Sequence, residues 1–237
     1  MSDILEVVKY KEVTIGDYLV DEVTLTPLNI ARAKLFKNGL IGKLPGQPAH
    51  GNISMRLPSD QRNRLLRTYE TRLKGYLDEQ RGLFDNAFII TATRTGELEN
   101  LVCSNFVIVL HYDPKTNTAY VVGQEGSSSE VPTHASVYKH AEKLQPNRKI
   151  ESVAHGHNKS IWSRYAELGL PSTSESIPYG DPRMDEQIES LPVCNQRIFE
   201  KRAFVMLGHK NGVVSFGKDP DEAAQRLIDL KTLAEKN

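Results

Sequence analysis

Apolar residues recur at helical spacing in several parts of the chain. Between residues 27 and 41 this spacing predicts an amphipathic helix, with apolar side chains at Leu28, Ala31, Leu35 and Phe36. Ser59 could cap a second helix, since Leu or Tyr recurs at every fourth position of RLLRTYETRLKGYLDEQ. Further helices are predicted in VPTHASVYKHAEKL, SIWSRYAELGL and DEAAQRLIDLKTLAEK.

After Gly82 the pattern changes to short runs of β-branched residues, which predict strands. These runs are AFIITAT, NFVIVLHY, TAYVVGQ, IESVAHGH, RAFVMLGH and GVVSFG. A turn of hairpin length near Asp113 joins the second run to the third, so at least part of the sheet is antiparallel. About five or six strands mixed with about five helices predict a layered α/β or α+β fold. No repeat or linker divides the sequence, and we expect one domain over residues 1–237.

The charge balance and the cysteine count narrow the class of protein. The chain has 30 Lys and Arg against 30 Asp and Glu, which argues against binding driven by nucleic-acid phosphates. No apolar run approaches the ~20 residues of a membrane span, and the N-terminal sequence lacks the apolar region of a secretory signal. Only Cys103 and Cys194 are present, which excludes a disulfide scaffold or a CxxC zinc site. We therefore expect a cytoplasmic enzyme or binding domain without a nucleic-acid or membrane partner.

Three histidines are spaced as metal ligands. His155 and His157 lie two positions apart at the end of a predicted strand, so both imidazoles point to one face. His209 closes another predicted strand, which could lie beside the first and supply the third ligand of a catalytic Zn²⁺ site. An HxH pair alone is a weak motif, and such a pair is often two histidines without a metal. The other histidines without a supporting pattern are expected to be structural: His50, His111 and His140.

Glu130 stands at the predicted start of a helix, behind Ser127, Ser128 and Ser129. Exposed amide and hydroxyl groups at such a position form an anion-binding site. A carboxylate next to a metal is a natural general acid or base. It could also occupy the open coordination position when no substrate is bound.

The order of five short motifs resembles that of the class II aldolase/adducin family, in particular that of fuculose-phosphate aldolases. The motifs are GNIS at 51–54, ITATRTGELENL at 90–101, SSE at 128–130, VAHGH at 153–157 and LGHKNGVVSFG at 207–217. Each motif is weak alone, but together their order and gaps are specific. The resemblance spans roughly residues 28–230, and residues 1–26 are an N-terminal extension.

The resemblance implies roles for individual residues. His155, His157 and His209 match the family's three metal-binding histidines. Glu130 matches its catalytic glutamate, which can itself ligate the metal in the empty enzyme. The positions that hold a substrate phosphate and its neighbouring oxygens match Asn52, Thr95, Gly96, Ser128 and Ser129. Zn²⁺ is the expected metal, with Mn²⁺ and Co²⁺ as alternatives.

The resemblance also implies a fold and an activity. The family's aldolases use the metal as a Lewis acid that chelates a carbonyl and a hydroxyl of a sugar phosphate and stabilises an enediolate. We therefore expect a metal-dependent lyase of carbohydrate metabolism, which cleaves or forms a C–C bond in a small sugar phosphate or related hydroxy-ketone. The implied fold is a three-layer α/β/α sandwich around a largely antiparallel sheet. The implied assembly is a homotetramer with active sites between subunits.

Several residues depart from the family pattern or have an open role. The family commonly has Gly directly after the third histidine, whereas this chain has Lys210 and Asn211 first. Arg94 stands where a small residue is more common; it either binds a different anion or faces solvent, and we favour solvent. His134 lies one helical turn beyond the glutamate and either supports the site or packs the helix. Tyr179 is either a proton donor or, the simpler interpretation, a rim or interface residue.

Two other kinds of function are compatible with these motifs. A pentulose-phosphate 4-epimerase or a sugar-phosphate dehydratase has the same histidines and glutamate, and only product analysis separates it from an aldolase. A non-catalytic interaction domain, like the adducin head, would keep the fold and lose the ligands. All three histidines and Glu130 are present here, which argues against the interaction domain.

Overall fold

The computed structural model describes residues 9–43, 46, 48–77 and 83–236. Its strands are β1 (Lys11–Gly16), β2 (Gly42–Lys43), β3 (Ala49–His50), β4 (Asn52–Arg56), β5 (Phe88–Thr91), β6 (Phe106–Asp113), β7 (Thr118–Val122), β8 (Ser152–His157), β9 (Ser172–Thr173), β10 (Ala203–Met206) and β11 (Gly212–Gly217). Its α-helices are α1 (Glu22–Lys37), α2 (Ser59–Thr68), α3 (Glu70–Leu77), α4 (Val131–Lys139), α5 (Ala141–Leu144), α6 (Lys159–Ser163), α7 (Met184–Cys194), α8 (Ile198–Lys201) and α9 (Pro220–Glu235). Short 3₁₀ helices span Leu83–Asn86, Thr95–Glu97 and Cys103–Asn105.

Nine of these strands form one sheet in the order β1-β7-β6-β5-β4-β8-β11-β10-β9. The two edge strands, β1 and β9, pair parallel with their neighbours, and every pair between them is antiparallel. The predicted hairpin between β6 and β7 is confirmed. β2 and β3 form a separate two-stranded sheet that leads into β4.

Helices cover both faces of the large sheet, because side chains alternate along its buried strands. In β10, Val205 belongs to one core, whereas Phe204 and Met206 belong to the core on the opposite face. The first core takes apolar side chains from α1, α2, α3, α6 and α9, and the second takes them from α4, α5, α7 and α8. The predicted three-layer α/β/α sandwich with a mostly antiparallel sheet is therefore confirmed.

Some helices differ from their predicted bounds. α1 begins at Glu22 instead of residue 27, because Asp21 caps it by accepting a hydrogen bond from Thr24 N (2.8 Å). The predicted second helix is divided into α2 and α3, and its predicted last residues, 78–80, lie outside the described residues. In SIWSRYAELGL only the first turn is helical, as α6, and turns follow it.

Residues 11–16 of the N-terminal extension belong to the sheet. β1 pairs with β7 from Lys11 to Gly16, so the extension forms the edge of the central layer. Residues 1–8 of the extension lie outside the described residues. Among the helices described, none has the length and apolar character needed to cross a membrane.

Candidate metal centre and substrate cavity

One strand and one turn bring the three histidines together. His155 and His157 lie on the same face of β8, as its alternation requires. The expectation that RAFVMLGH pairs with β8 is wrong, because β11 lies between β10 and β8. His209 instead lies in the turn between β10 and β11. Since Gly212 pairs with His157 across the sheet, this turn places His209 at the end of β8.

The three imidazoles converge on one point. One ligand nitrogen from each histidine lies within 4.8 Å of the other two. His157 Nε2 and His209 Nε2 are 3.1 Å apart. In a tetrahedral site with bonds of about 2.0–2.1 Å, neighbouring ligand nitrogens are about 3.3 Å apart. The rings therefore need little movement to hold one ion.

The chemistry of the donor atoms also fits a metal ion. His155 Nε2 and Glu130 Oε1 are buried without a hydrogen-bond partner, which is rare for polar atoms and is relieved by a bound cation. Burial lowers the pKa of His155 well below its usual range. Burial, with His209 and His50 nearby, lowers the pKa of His157 to about 2. Both imidazoles are therefore neutral at pH 7, which is the form that binds metals.

The turn that carries His209 accommodates the two extra residues of this chain. Gly212 N donates a hydrogen bond to His209 O (2.8 Å) and closes a four-residue turn. Asn211, third in the turn, has a φ of 67°, a left-handed conformation that asparagine tolerates. Lys210 and Asn211 thus lengthen the turn while His209 stays at the centre.

Tyr179 stacks on His209, with ring centroids 4.1 Å apart and planes inclined by 23°. Gly208 permits this close approach, because a Cβ at that position would lie 2.0 Å from the carbonyl oxygen of Ile177. Burial raises the pKa of the Tyr179 hydroxyl, which is therefore protonated at neutral pH. Tyr179 lies at the candidate metal centre, in contact with one of the predicted ligands.

Glu130 lies directly before α4 and is 2% exposed. Thr133 Oγ1 donates a hydrogen bond to Glu130 Oε2 (2.8 Å). Glu130 Oε1 lies 2.9 Å from His209 Nδ1, although the two atoms are not aligned as a hydrogen bond. The carboxylate is thus beside the histidines, as the sequence predicts, with one oxygen held and the other directed at them.

A buried polar chain runs behind the histidines. His134 is fully buried, its Nε2 donates to Asn52 Oδ1 (2.7 Å), and its Nδ1 accepts from Ser54 Oγ (2.6 Å). Burial lowers the pKa of His134 to about 4, so the ring is neutral. Asn52 Nδ2 donates to Ser128 Oγ (3.0 Å) and lies 3.4 Å from His155 Nδ1. His134 therefore supports the site through Asn52 and does not face the metal centre itself.

Thr95 and Gly96 lie in a turn that a buried arginine holds. Arg32, on α1, is 2% exposed and donates hydrogen bonds to Thr95 O (2.9 Å), Gly96 O (3.4 Å) and Glu99 O (2.7 Å). Burial lowers the pKa of Arg32 to about 10, so the guanidinium stays charged at neutral pH. This support could not be found from the sequence, because Arg32 belongs to no motif.

The serine loop before Glu130 has a second support that the sequence analysis missed. Ser127 N donates to Glu12 Oε2 (2.9 Å), and the Ser127 hydroxyl contacts the same oxygen. Tyr10 Oη donates to Ser128 O (2.9 Å) and also contacts the Ser127 hydroxyl. The N-terminal extension thus holds the loop from the edge of the sheet.

His50, which is expected to be structural, lies beside the histidine cluster. Its ring stacks on His157 with centroids 4.7 Å apart and planes inclined by 19°. Burial lowers the pKa of His50. Its position directly before the GNIS motif is the signal that could have indicated this location.

These residues surround a cavity of about 280 Å³. Arg94 is exposed, as expected from the sequence, yet it also lines this cavity, and so does the exposed Ser129. His134 alone of the predicted site residues lies behind the wall. The remaining lining residues from the sequence analysis are Asn52, Thr95, Gly96, Ser128, Glu130, His155, His157, Tyr179 and His209.

Comparison with solved structures gives similar folds at low sequence identity. YgbL from Escherichia coli, provisionally described as an aldolase/epimerase/decarboxylase, matches with a TM-score of 0.56 and 18% identity over 90% of this chain and 87% of that one. L-fuculose 1-phosphate aldolase from Glaciozyma antarctica matches with a TM-score of 0.51 and 13% identity, over 90% of this chain and 71% of that one. A sugar-phosphate aldolase from Thermotoga maritima matches with a TM-score of 0.50 and 16% identity, over 88% of this chain and 94% of that one. At these identities the likeness establishes the fold alone.

Sequence comparison identifies the family. The chain has no significant match among curated protein sequences. Residues 47–237, however, match the family model described as Class II Aldolase and Adducin N-terminal domain. The match contains the GNIS, SSE and HGH motifs and the third histidine, which the fold gathers at one cavity. Because it covers most of the chain, the protein belongs to the class II aldolase and adducin N-terminal domain family.

Proposed function

We propose that the protein is a metal-dependent lyase of the aldolase type, which cleaves or forms a C–C bond in a small sugar phosphate or related hydroxy-ketone. The observation that carries the proposal is the cluster of His155, His157 and His209 with Glu130 beside it, all at one cavity. A domain kept only for protein interaction has no need of buried, unpartnered ligand atoms at a cavity.

The three histidines would hold the metal ion, which when bound supplies a Lewis acid for the carbonyl and hydroxyl oxygens of the substrate. Glu130 would move the proton. Its Oε2 is held by Thr133, so Oε1 can take the proton of the substrate hydroxyl whose carbon leaves as the aldehyde. The electrons of the broken C–C bond stay with the ketone fragment, and the same oxygen can return the proton to that carbon.

The remaining cavity residues would bind and orient the substrate. Asn52, Ser128 and Ser129 offer amide and hydroxyl groups, and the turn at Thr95 and Gly96 lines the same cavity. The volume of about 280 Å³ is at the lower end of the range for ligand pockets, which favours a small substrate. Tyr179 would cover His209 and help to exclude water.

The metal, the assembly and the location remain predictions that rest on the family. We expect Zn²⁺, with Mn²⁺ or Co²⁺ as alternatives, because three neutral nitrogen ligands suit these borderline ions. We also expect a homotetramer in the cytoplasm.

The first experiment is the metal content per chain of protein purified without a chelator, for the native chain and for His155→Ala. We expect close to one transition-metal ion per native chain and its loss in the variant. Ketose phosphates of increasing length are then offered to the metal-loaded protein, and products are identified by NMR. A fragment aldehyde indicates aldol cleavage, whereas an epimer or a dehydrated product indicates the 4-epimerase or dehydratase alternative.

A native chain that contains no metal, and takes up none from zinc, manganese or cobalt solutions, would overturn the proposal. A non-catalytic interaction domain would then be the better interpretation. Circular dichroism of His155→Ala provides the control, since loss of metal through unfolding would say nothing about the ligand.

A further inference from the structure

Arg94 lines the cavity with an unusual backbone conformation. Its φ is 62° and its ψ is 9°, in the left-handed region that residues other than Gly, Asn and Asp rarely adopt. The neighbouring residues impose this conformation, since Thr93 N donates to Gly126 O (2.9 Å) and Arg32 holds Thr95 O (2.9 Å). Backbone strain that is imposed at a cavity points to a functional role for the side chain.

The charge of Arg94 is not used within the protein. Among the described residues, its guanidinium has no hydrogen-bond or ion-pair partner. Glu97, in the same turn, pairs with Lys43 (2.5 Å). Glu130, in the cavity, is held by Thr133 and lies against His209. Neither carboxylate pairs with Arg94, so its guanidinium is available to an external anion.

Arg202 provides a comparison, because it also has a positive φ but its side chain has a structural role. Its φ is 49°, but its guanidinium pairs with Glu222, and the two side chains are only 14% and 19% exposed. Arg94 stabilises nothing comparable. Apart from the histidines, Arg94 and Glu130 are also the only basic and acidic side chains among the described lining residues.

We propose that Arg94 is a specificity-determining residue that binds an oxyanion of the substrate, a phosphate or a carboxylate, at the mouth of the cavity. A guanidinium offers two parallel N–H donors that match either group, and a cation at the mouth favours anionic compounds over uncharged compounds of the same size. The proposal rests on the proposed function, because it takes the substrate to be a hydroxy-ketone that reaches the histidines.

The test compares three hydroxy-ketones that differ in charge: dihydroxyacetone phosphate, hydroxypyruvate and uncharged dihydroxyacetone. Their dissociation constants are measured by calorimetry on the metal-loaded native chain and on Arg94→Gly, Arg94→Asn and Arg94→Lys. Gly and Asn suit a φ of 62°, so neither variant should lower Tm, and Lys keeps the charge without the paired donors. We expect Gly and Asn to weaken binding of at least one anionic ketone about tenfold or more, with Lys intermediate and dihydroxyacetone unchanged.

A loss confined to dihydroxyacetone phosphate assigns a phosphate to Arg94, and a loss that includes hydroxypyruvate assigns a carboxylate as well. Equal affinities in native and Arg94→Gly protein, equal losses for charged and uncharged ketones, or no binding of either anion to the native chain would each overturn the proposal. Binding is measured without turnover, so discrimination by Arg94 without any cleavage would reject only the aldolase assignment. Cleavage with unchanged affinities in Arg94→Gly would reject only the role of Arg94.

Discussion

At the scale of single residues, Glu130 has two oxygens in different surroundings. Oε2 accepts a hydrogen bond from Thr133 Oγ1, whereas Oε1 faces His209 without an aligned hydrogen bond. A carboxylate held by one oxygen and open at the other can exchange a proton without losing its orientation. This arrangement fits the proton transfer proposed for Glu130, which differs from the ligand role proposed for the histidines.

Glu130→Gln keeps the shape of the side chain and removes the proton acceptor. We expect kcat to fall about 10²–10⁴-fold, which is the usual contribution of a general acid or base. The metal content should not change, because the three histidines remain. Both quantities are measured on the same sample: kcat from steady-state rates on the ketose phosphate that proves to be the substrate, and metal content by elemental analysis. If the metal is lost together with the activity, Glu130 acts mainly as a ligand.

His50 supports His157 by ring stacking alone, so its effect should depend on an aromatic side chain and not on a proton. His50→Ala removes the stacked ring, and we expect metal affinity to fall about two- to tenfold, corresponding to an aromatic pair of about 0.5–1.5 kcal/mol. His50→Phe should restore most of the affinity. The metal affinity is measured by titrating Co²⁺ into metal-free protein and following the d–d absorption of the bound ion. Equal affinities in all three proteins would show that the stack does not position His157.

At the scale of elements, β1 is a strand from outside the matched family region that reaches the serine loop. Tyr10 and Glu12, at its start, hold Ser127 and Ser128. The loop in turn precedes Glu130, and Ser128 Oγ accepts from Asn52 Nδ2 (3.0 Å). An edge strand thus fixes the position of groups in the cavity.

Glu12→Ala should loosen this loop. The Ser127 amide would lose its acceptor, and we expect a loss of about 1 kcal/mol in the free energy of unfolding, as for a typical hydrogen bond. KM should rise more than kcat falls, because the proposed substrate contacts lie in this loop and Glu130 remains. Urea unfolding and steady-state kinetics measure these changes. Thr14→Ala, at an exposed position on the same strand, is the matched control, and an equal effect there would reject the role of Glu12.

The limits of sequence prediction follow from the distances along the chain. β8 and its two histidines could be predicted because strand alternation and the HGH spacing involve neighbouring residues. The support from Arg32 and Tyr10 could not, because Arg32 contacts a carbonyl 63 residues away and Tyr10 contacts one 118 residues away. The sequence predicts His209 close to His155 and His157, where the structure has it, but the order of the strands could not be predicted, since periodicity does not determine it.

At the scale of the whole molecule, a buried carboxylate links α4 to α7, in the helical layer that carries Glu130. Asp185, on α7, accepts hydrogen bonds from Lys139 Nζ (2.6 Å) and His140 Nε2 (3.1 Å) at the end of α4. Burial alone would raise its pKa, but the bonds from His140 and Lys139 outweigh burial and lower the pKa of Asp185 to about 2. This layer carries Glu130 at the other end of α4, so its packing affects the cavity.

The lowered pKa makes part of the stability depend on pH. A carboxyl whose pKa is lower in the folded state stabilises the fold above its unfolded pKa, and this contribution is lost as pH falls from about 4 towards 2. The shift corresponds to at most about 2 kcal/mol, and screening reduces it because Lys139 is half exposed. We expect Asp185→Asn to be less stable than the native chain at pH 6, with this difference reduced to about a third at pH 2.5, in urea unfolding followed by circular dichroism. A difference that stays constant across this range would show that the ionised carboxylate does not fasten α7 to α4.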